Sequence, residues 1–124
     1  MSILIVDDSD SFRAEVYSKL KQQGFTYIST ADGEKKALEI IKNKQFALVI
    51  TDTQMERSDS GKYLCKVIKQ QYPQTKVILM SADKNLLGEA QMEGIPADAF
   101  FSKRVGLQML IKQITELGFS PIGL

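Results

Sequence analysis

The sequence predicts a single α/β domain built on a five-stranded, doubly wound parallel sheet with helices on both faces. Short apolar runs alternate five times with longer stretches whose apolar residues recur every three or four positions, as in five β-α units. Several of these runs are apolar at consecutive positions, which is typical of strands buried on both faces of a parallel sheet. The connections are also short, and this implies right-handed crossovers between neighbouring strands.

The first three units are defined by their apolar runs and the polar residues that bound them. The first helix ends at Gly24 and the second at about Asn43, while Pro73 ends the third. The predicted strands are Ile3 to Val6, Tyr27 to Ala31 and Phe46 to Thr51. The helices carry the apolar stripes Phe12, Val16 and Leu20; Ala37, Ile40 and Ile41; and Leu64, Val67 and Ile68.

The last two units follow the same pattern. Gly94 and Pro96 separate the fourth helix from the fifth strand, and Gly118 ends the last helix. The predicted strands are Val77 to Met80 and Ala99 to Phe101. The helical stripes are Leu86, Leu87 and Ala90, followed by Leu107, Leu110, Ile111, Ile114 and Leu117.

Composition narrows the class of protein. A length of 124 residues suits one domain, and 16 Lys and Arg against 15 Asp and Glu give a net charge of +1. We therefore expect no general attraction to nucleic acid or to an anionic membrane. The apolar run Ile3 to Val6 is too short for a signal peptide or a membrane span, so we expect a cytoplasmic protein.

The cysteine and histidine counts exclude several kinds of site. The one cysteine, Cys65, cannot form an internal disulfide, and its helical spacing with apolar neighbours predicts a buried side chain. The chain has no histidine. This excludes a Ser-His or Cys-His catalytic arrangement within the chain and a histidine-based metal site.

Polar side chains at the carboxyl ends of the strands predict the functional site, because ligands of such sheets bind there. Asp7 and Asp8 follow the first strand, Asp52 the third, Ser81 the fourth and Lys103 the fifth. In the flavodoxin-like strand order 2-1-3-4-5, the three carboxylates would converge and repel one another. Such a site needs a cation, either the lysine or a divalent metal, and all-oxygen ligands favour Mg²⁺ over zinc.

From Ile3 to about Leu117 the chain resembles the bacterial response regulator receiver domains of two-component systems. The family pattern is an acidic pair after strand one, a phosphoacceptor Asp after strand three and Ser or Thr after strand four. It ends with an aromatic residue three positions before a Lys after strand five. The matching residues are Asp7 and Asp8, Asp52, Ser81, Phe100 and Lys103.

The resemblance implies roles for these residues in a phosphorelay. Asp52 would be the phosphoacceptor, and it would bind Mg²⁺ directly together with Asp8 and the backbone carbonyl of Gln54. Asp7 would help to hold the metal through water, and Lys103 would pair with the phosphoryl oxygens. The chain would thus be a signalling switch rather than an enzyme, although it would take part in its own phosphorylation and dephosphorylation.

The resemblance also implies a switch and its partners. Ser81 would contact the new phosphoryl oxygens and Phe100 would turn inward, changing the surface of helix four, strand five and helix five. Because the chain has no histidine, the phosphohistidine donor must be another protein, a sensor histidine kinase or a histidine phosphotransfer protein. We expect an unidentified downstream effector, no direct binding of nucleic acid or membrane, a receiver domain over 1–118, and a tail or linker over 119–124.

The chain departs from the family pattern in two loops. Lys103 is followed by Arg104 rather than the usual Pro, so the cis peptide common in this loop is not expected. The loop from Thr53 to Gly61 lacks the customary Pro and is one residue longer before its Gly. It contains Gln54, at a position that tends to tune the lifetime of the acyl phosphate in the family.

Three alternatives remain open from the sequence. Asp8 and Asp10 have the spacing of a haloacid dehalogenase-type phosphatase, and Ser81 and Lys103 fit its later motifs. That alternative gives Asp52 no function and lacks both the acidic pair after the lysine and a cap domain. Flavin binding is disfavoured because the acidic loop after strand one would repel phosphate. A degenerate receiver could instead act as a phosphorylation-independent interaction module.

Overall fold

The computed structural model describes residues 2–121 and has the predicted parallel sheet. The five strands pair in the order β2-β1-β3-β4-β5, and every pair is parallel. The strands are β1 (Ser2–Val6), β2 (Tyr27–Ala31), β3 (Leu48–Asp52), β4 (Lys76–Ser81) and β5 (Ala99–Ser102). The helices are α1 (Asp10–Gln22), α2 (Glu34–Asn43), α3 (Ser60–Gln71), α4 (Lys84–Met92) and α5 (Leu107–Glu116). The predicted fold class and strand order are confirmed.

Two apolar clusters cover the two faces of the sheet. Alternate strand residues point to opposite faces, so Leu4 and Val6 lie in one cluster and Ile3 and Ile5 in the other. The first cluster is completed by α2, α3 and α4, and the second by α1 and α5. This double cover explains why the central strands are apolar at nearly every position.

The third strand begins later than predicted. Phe46 is buried, but it precedes β3, and its carbonyl oxygen accepts a hydrogen bond from Thr75 Oγ1 at 2.7 Å. Its apolar character therefore reflects side-chain packing in the first cluster rather than strand pairing. At its other end β3 runs one residue further and includes Asp52.

The helices follow the predicted stripes with small differences. Cys65 is fully buried as expected, but six stripe residues are only half-buried: Phe12, Ile40, Val67, Leu86, Leu107 and Leu117. A short 3₁₀ helix, η1 (Lys103–Val105), was not predicted; it follows β5 directly. None of the helices within residues 2–121 has the length and apolar character needed to span a membrane.

The segment after α5 is described only in part. Phe119 packs against the second cluster, next to the end of the last helix. Residues 122–124 of the predicted tail lie outside the described residues. The boundary between domain and tail stays a prediction.

Candidate functional site

Three carboxylates meet at the carboxyl edge of the sheet, where β1 and β3 are neighbours. Val6 pairs with Thr51, so Asp7 and Asp52 leave adjacent strands at the same level. Asp7, Asp8 and Asp52 each have a carboxylate oxygen within 4.8 Å of the others. Asp7 is fully buried and Asp52 is 9% exposed, whereas Asp8 lies on the surface. The cluster is therefore open to solvent on the side of Asp8.

Lys103 bridges the two buried carboxylates. Its Nζ lies 2.8 Å from Asp7 Oδ2 and 3.4 Å from Asp52 Oδ1. The same ammonium group lies 4.5 Å from the centre of the Phe12 ring, a cation–π distance. With Arg104 in place of the usual Pro, all described peptide bonds are trans, and the lysine still reaches both carboxylates.

Arg104 bonds to residues at the carboxyl ends of two neighbouring strands, β4 and β5. Its backbone N–H donates to Ser102 Oγ at 3.3 Å, which begins η1. Its Nε donates to the carbonyl oxygen of Ala82 at 2.9 Å. The side chain therefore ties the loop that carries Lys103 to the loop after Ser81.

Asp7 is held by contacts from the first turn of α1. Its Oδ1 accepts from the backbone N–H of Ser9 at 2.9 Å, and its carbonyl oxygen accepts from Arg13 Nη1 at 2.6 Å. Arg13 also pairs with Asp10, whose side chain is 88% exposed. Arg13 was not predicted from the sequence, because only the fold brings its side chain back to the end of β1.

Burial makes Asp52 an unusual carboxyl group. Desolvation raises its pKa from the ordinary value of 3.8 to about 6; the charge of Lys103 opposes this shift, and the charge of Asp7 adds to it. The carboxyl group of Asp52 is thus mostly ionised at neutral pH, but the charge of Lys103 does not fully offset the cost of its burial. An additional cation at this site would favour its charged form.

Ser81 and Phe100 are near this edge but bond elsewhere. Ser81 is buried, and its Oγ accepts from the backbone N–H of Asp83 at 3.0 Å. Phe100 is half-buried and packs against the first cluster, and its carbonyl oxygen accepts from Gln113 Nε2 at 2.9 Å. The structure thus brings the three aspartates and the lysine together. The two predicted switch residues bond instead to Asp83 and Gln113.

The loop after β3 packs tightly onto the acidic cluster. The N–H of Gly61 donates to the carbonyl oxygen of Thr53 at 2.9 Å, which holds the start of α3 against the backbone at Asp52 and Thr53. A Cβ atom on Gly61 would lie 1.9 Å from the carbonyl oxygen of Asp52. Only glycine fits this approach, so the glycine in the sequence is a packing requirement of the site. The side chain of Gln54 in this loop is exposed.

The donor atoms fit Mg²⁺. Three carboxylates and one ammonium group carry a formal charge of −2, and all the donor atoms are oxygens. Mg²⁺ binds proteins through one or two carboxylates and keeps several waters, for which the exposed side at Asp8 leaves room. No cysteine or histidine takes part, so the site does not suit zinc.

Comparison with known families tests the family that these residues predict. The model of the response regulator receiver domain matches residues 3–115 of the chain. The chain belongs to this family. The prediction drawn from the acidic pair, Asp52, Ser81 and Lys103 is thereby confirmed at the level of the family.

The chain spans less than a third of the length of two curated relatives that it matches. A response regulator NtrX-like protein of Rickettsia felis is 34% identical over 82 residues, covering 65% of this chain and 17% of that protein. A cyclic di-GMP phosphodiesterase of Thermotoga maritima is 34% identical over 117 residues, covering 93% of this chain and 30% of that protein. The solved receiver domain of NtrX from Brucella abortus is 27% identical with a TM-score of 0.81, covering 93% of this chain and 96% of that one.

Proposed function

We propose that this receiver domain accepts a phosphoryl group on Asp52 from a phosphohistidine of a partner protein, in a Mg²⁺-dependent reaction. Receiver domains of response regulators are phosphorylated by histidine kinases, so the donor is a sensor histidine kinase or a histidine phosphotransfer protein. A carboxylate oxygen of Asp52 bonds to phosphorus, and the bond from phosphorus to the histidine nitrogen breaks. The product is an acyl phosphate.

One observation carries the proposal: Lys103 Nζ lies within 3.4 Å of Asp52 Oδ1 while also pairing with buried Asp7. A carboxylate attacks a phosphoryl group only if the charges of both are offset. The lysine supplies one positive charge at the nucleophile. Asp8, Asp52 and the Gln54 carbonyl would hold Mg²⁺, with Asp7 assisting through water. Bound Mg²⁺ would neutralise the phosphoryl oxygens during transfer.

The proposed output is a change in the surface formed by α4, β5 and α5. The phosphoryl group adds nearly two negative charges, which Ser81 would contact after its bond to the Asp83 N–H is released. Phe100 would then turn inward from its half-buried position. Helix α4 exposes Met92 and helix α5 exposes Met109, and both are apolar side chains suited to a protein partner. The effector and the cytoplasmic location stay predictions.

The test is the intact mass of the protein after incubation with acetyl phosphate and Mg²⁺. We expect one phosphoryl adduct in the wild type, no adduct without Mg²⁺, and no adduct in Asp52→Asn. An adduct that persists in Asp52→Asn but disappears in Asp8→Asn would instead support the phosphatase chemistry considered above.

The degenerate receiver is tested in the same experiment. If neither acetyl phosphate nor beryllofluoride modifies the wild type, the proposal is wrong and an interaction module becomes the better explanation. Such a module would bind its partner equally well in wild type and in Asp52→Asn. Circular dichroism of each variant shows whether the fold is retained.

A further inference from the structure

Helix α2 has no N-terminal cap of its own. Gly33 occupies the cap position and has no side chain to accept the free N–H groups of the first turn. Glu56, 23 residues later in the loop after Asp52, takes this role: its carboxylate accepts from the N–H groups of Glu34 at 2.7 Å and Lys35 at 3.0 Å. The loop that follows the phosphoacceptor is therefore bonded to the start of α2.

A second contact strengthens the same junction. Arg57 Nη2 donates to both carboxylate oxygens of Glu34, at 2.8 and 3.0 Å. The Glu34 side chain is 14% exposed and the Arg57 side chain 52%, so only the Glu34 side of this pair is shielded from water. Two adjacent loop residues are thus bonded to the same helix end. Desolvation tends to raise the pKa of Glu56, but the hydrogen bonds from the Lys35 and Glu34 N–H groups hold it below its ordinary value.

Gln54 lies between two groups of backbone hydrogen bonds. On one side, the N–H of Thr53 donates to the carbonyl oxygen of Met80 at 3.0 Å, and its carbonyl accepts from Gly61. On the other side, the N–H of Met55 donates to the carbonyl oxygen of Arg57 at 3.1 Å. The backbone at Gln54 is therefore positioned on one side by the bonds of Thr53 to β4 and α3, and on the other by the contacts of Glu56 and Arg57 with α2.

We propose that Glu56 is a positioning residue for the metal site, because its two bonds to α2 hold the loop in which the Gln54 carbonyl would bind Mg²⁺. This inference rests on the proposed function. Loss of an outer contact that orients a ligand typically weakens metal binding by 10-fold or more. We therefore expect Glu56→Ala to weaken Mg²⁺ binding by about tenfold.

Glu56→Ala also removes a helix cap, so helix stability must be separated from loop position. The backbone of Gly33 is extended (φ 179°), a conformation open to any residue, but a Cβ atom there would lie 2.6 Å from Glu56 Oε1. In Glu56→Ala the three atoms nearest to that Cβ, all of the Glu56 carboxylate group, are removed. The double variant Glu56→Ala/Gly33→Ser then gives α2 a serine at its own cap position, while the loop after Asp52 still lacks its bond to the helix.

The experiment measures melting temperature, Mg²⁺ affinity by calorimetry, and amide hydrogen exchange of the metal-free protein. We expect Glu56→Ala to lose about 4 °C and the double variant to regain most of it. In both variants Mg²⁺ binding stays weak and the amides of residues 54–58 exchange faster. Asp98→Asn, at the opposite edge of the sheet where Asp98 forms a salt bridge with Lys69, should lose stability but keep its Mg²⁺ affinity.

The outcomes separate the two proposals. If Mg²⁺ affinity returns with melting temperature in the double variant, Glu56 only stabilises α2 and the positioning role is wrong. Unchanged exchange at residues 54–58 leads to the same conclusion without any metal. If the wild type itself binds no Mg²⁺, the proposed function and the metal role of Glu56 both fall.

Discussion

Asp52→Asn should stabilise the metal-free protein at neutral pH while removing its acceptor. The reason is the buried position of the Asp52 carboxylate, whose desolvation raises its pKa from 3.8 to about 6 despite the nearby Lys103. Asparagine has nearly the same shape and no charge. It therefore avoids the free-energy cost of keeping a carboxylate charged at the end of β3.

The size and sign of the effect follow from proton linkage. Below pH 3.8 the Asp52 carboxyl is protonated in both the folded and the unfolded state, so it adds no pH dependence. Between pH 3.8 and about 6 the folded state binds more protons, so the stability of the wild type falls as pH rises. A shift of about two pH units corresponds to about 3 kcal/mol, and this full cost is present above the folded pKa.

The assay is urea unfolding of the wild type and Asp52→Asn in EDTA, followed by circular dichroism at pH values from 4 to 8. The stability difference between the two proteins should be small at pH 4 and grow to about 3 kcal/mol in favour of Asp52→Asn above pH 7. The other titrating groups are common to both proteins and largely cancel in the difference. A difference that stays constant across this range, or that favours the wild type at pH 8, would refute the reasoning.

Three further predictions concern the same region and the core. Lys103→Met should raise the pKa of Asp52 further, because the charge and hydrogen bond of Lys103 lower that pKa in the wild type. NMR titration of the Asp52 carboxyl group measures the change, and an unchanged titration midpoint would contradict the prediction. Gly61→Ala should lower the free energy of unfolding in urea by about 3 kcal/mol or more, because its Cβ would overlap the Asp52 carbonyl oxygen. Gly88→Ala, at a helical position with open space, should raise it by up to about 1 kcal/mol. Equal effects of the two variants would refute the packing argument. The Cys65 thiol, whose pKa burial raises to about 11, should react with a disulfide reagent at pH 8 only after unfolding, so rapid labelling of the native protein would contradict its buried position.

The sequence alone determined the fold class and the family. Consecutive apolar residues such as Leu48, Val49 and Ile50 indicate a strand covered on both faces. Five β-α units with short connections then leave few possible sheet topologies. The acidic site was predictable for the same reason, because residues that end neighbouring parallel strands must meet. Asp7, Asp52 and Lys103 were therefore expected together before any distance was known.

Only the tertiary structure decided how the loops around that site are held. The capping of α2 by Glu56, the contact of Arg13 with Asp7, and the bond from Arg104 to Ala82 join residues that lie 6 to 22 positions apart. Loops lack the regular period that makes strands and helices readable, so nothing in the order of their residues indicates which partner a side chain meets. The desolvation of Asp52 is likewise set by everything packed around it, and it arises only when the two apolar clusters close over the sheet.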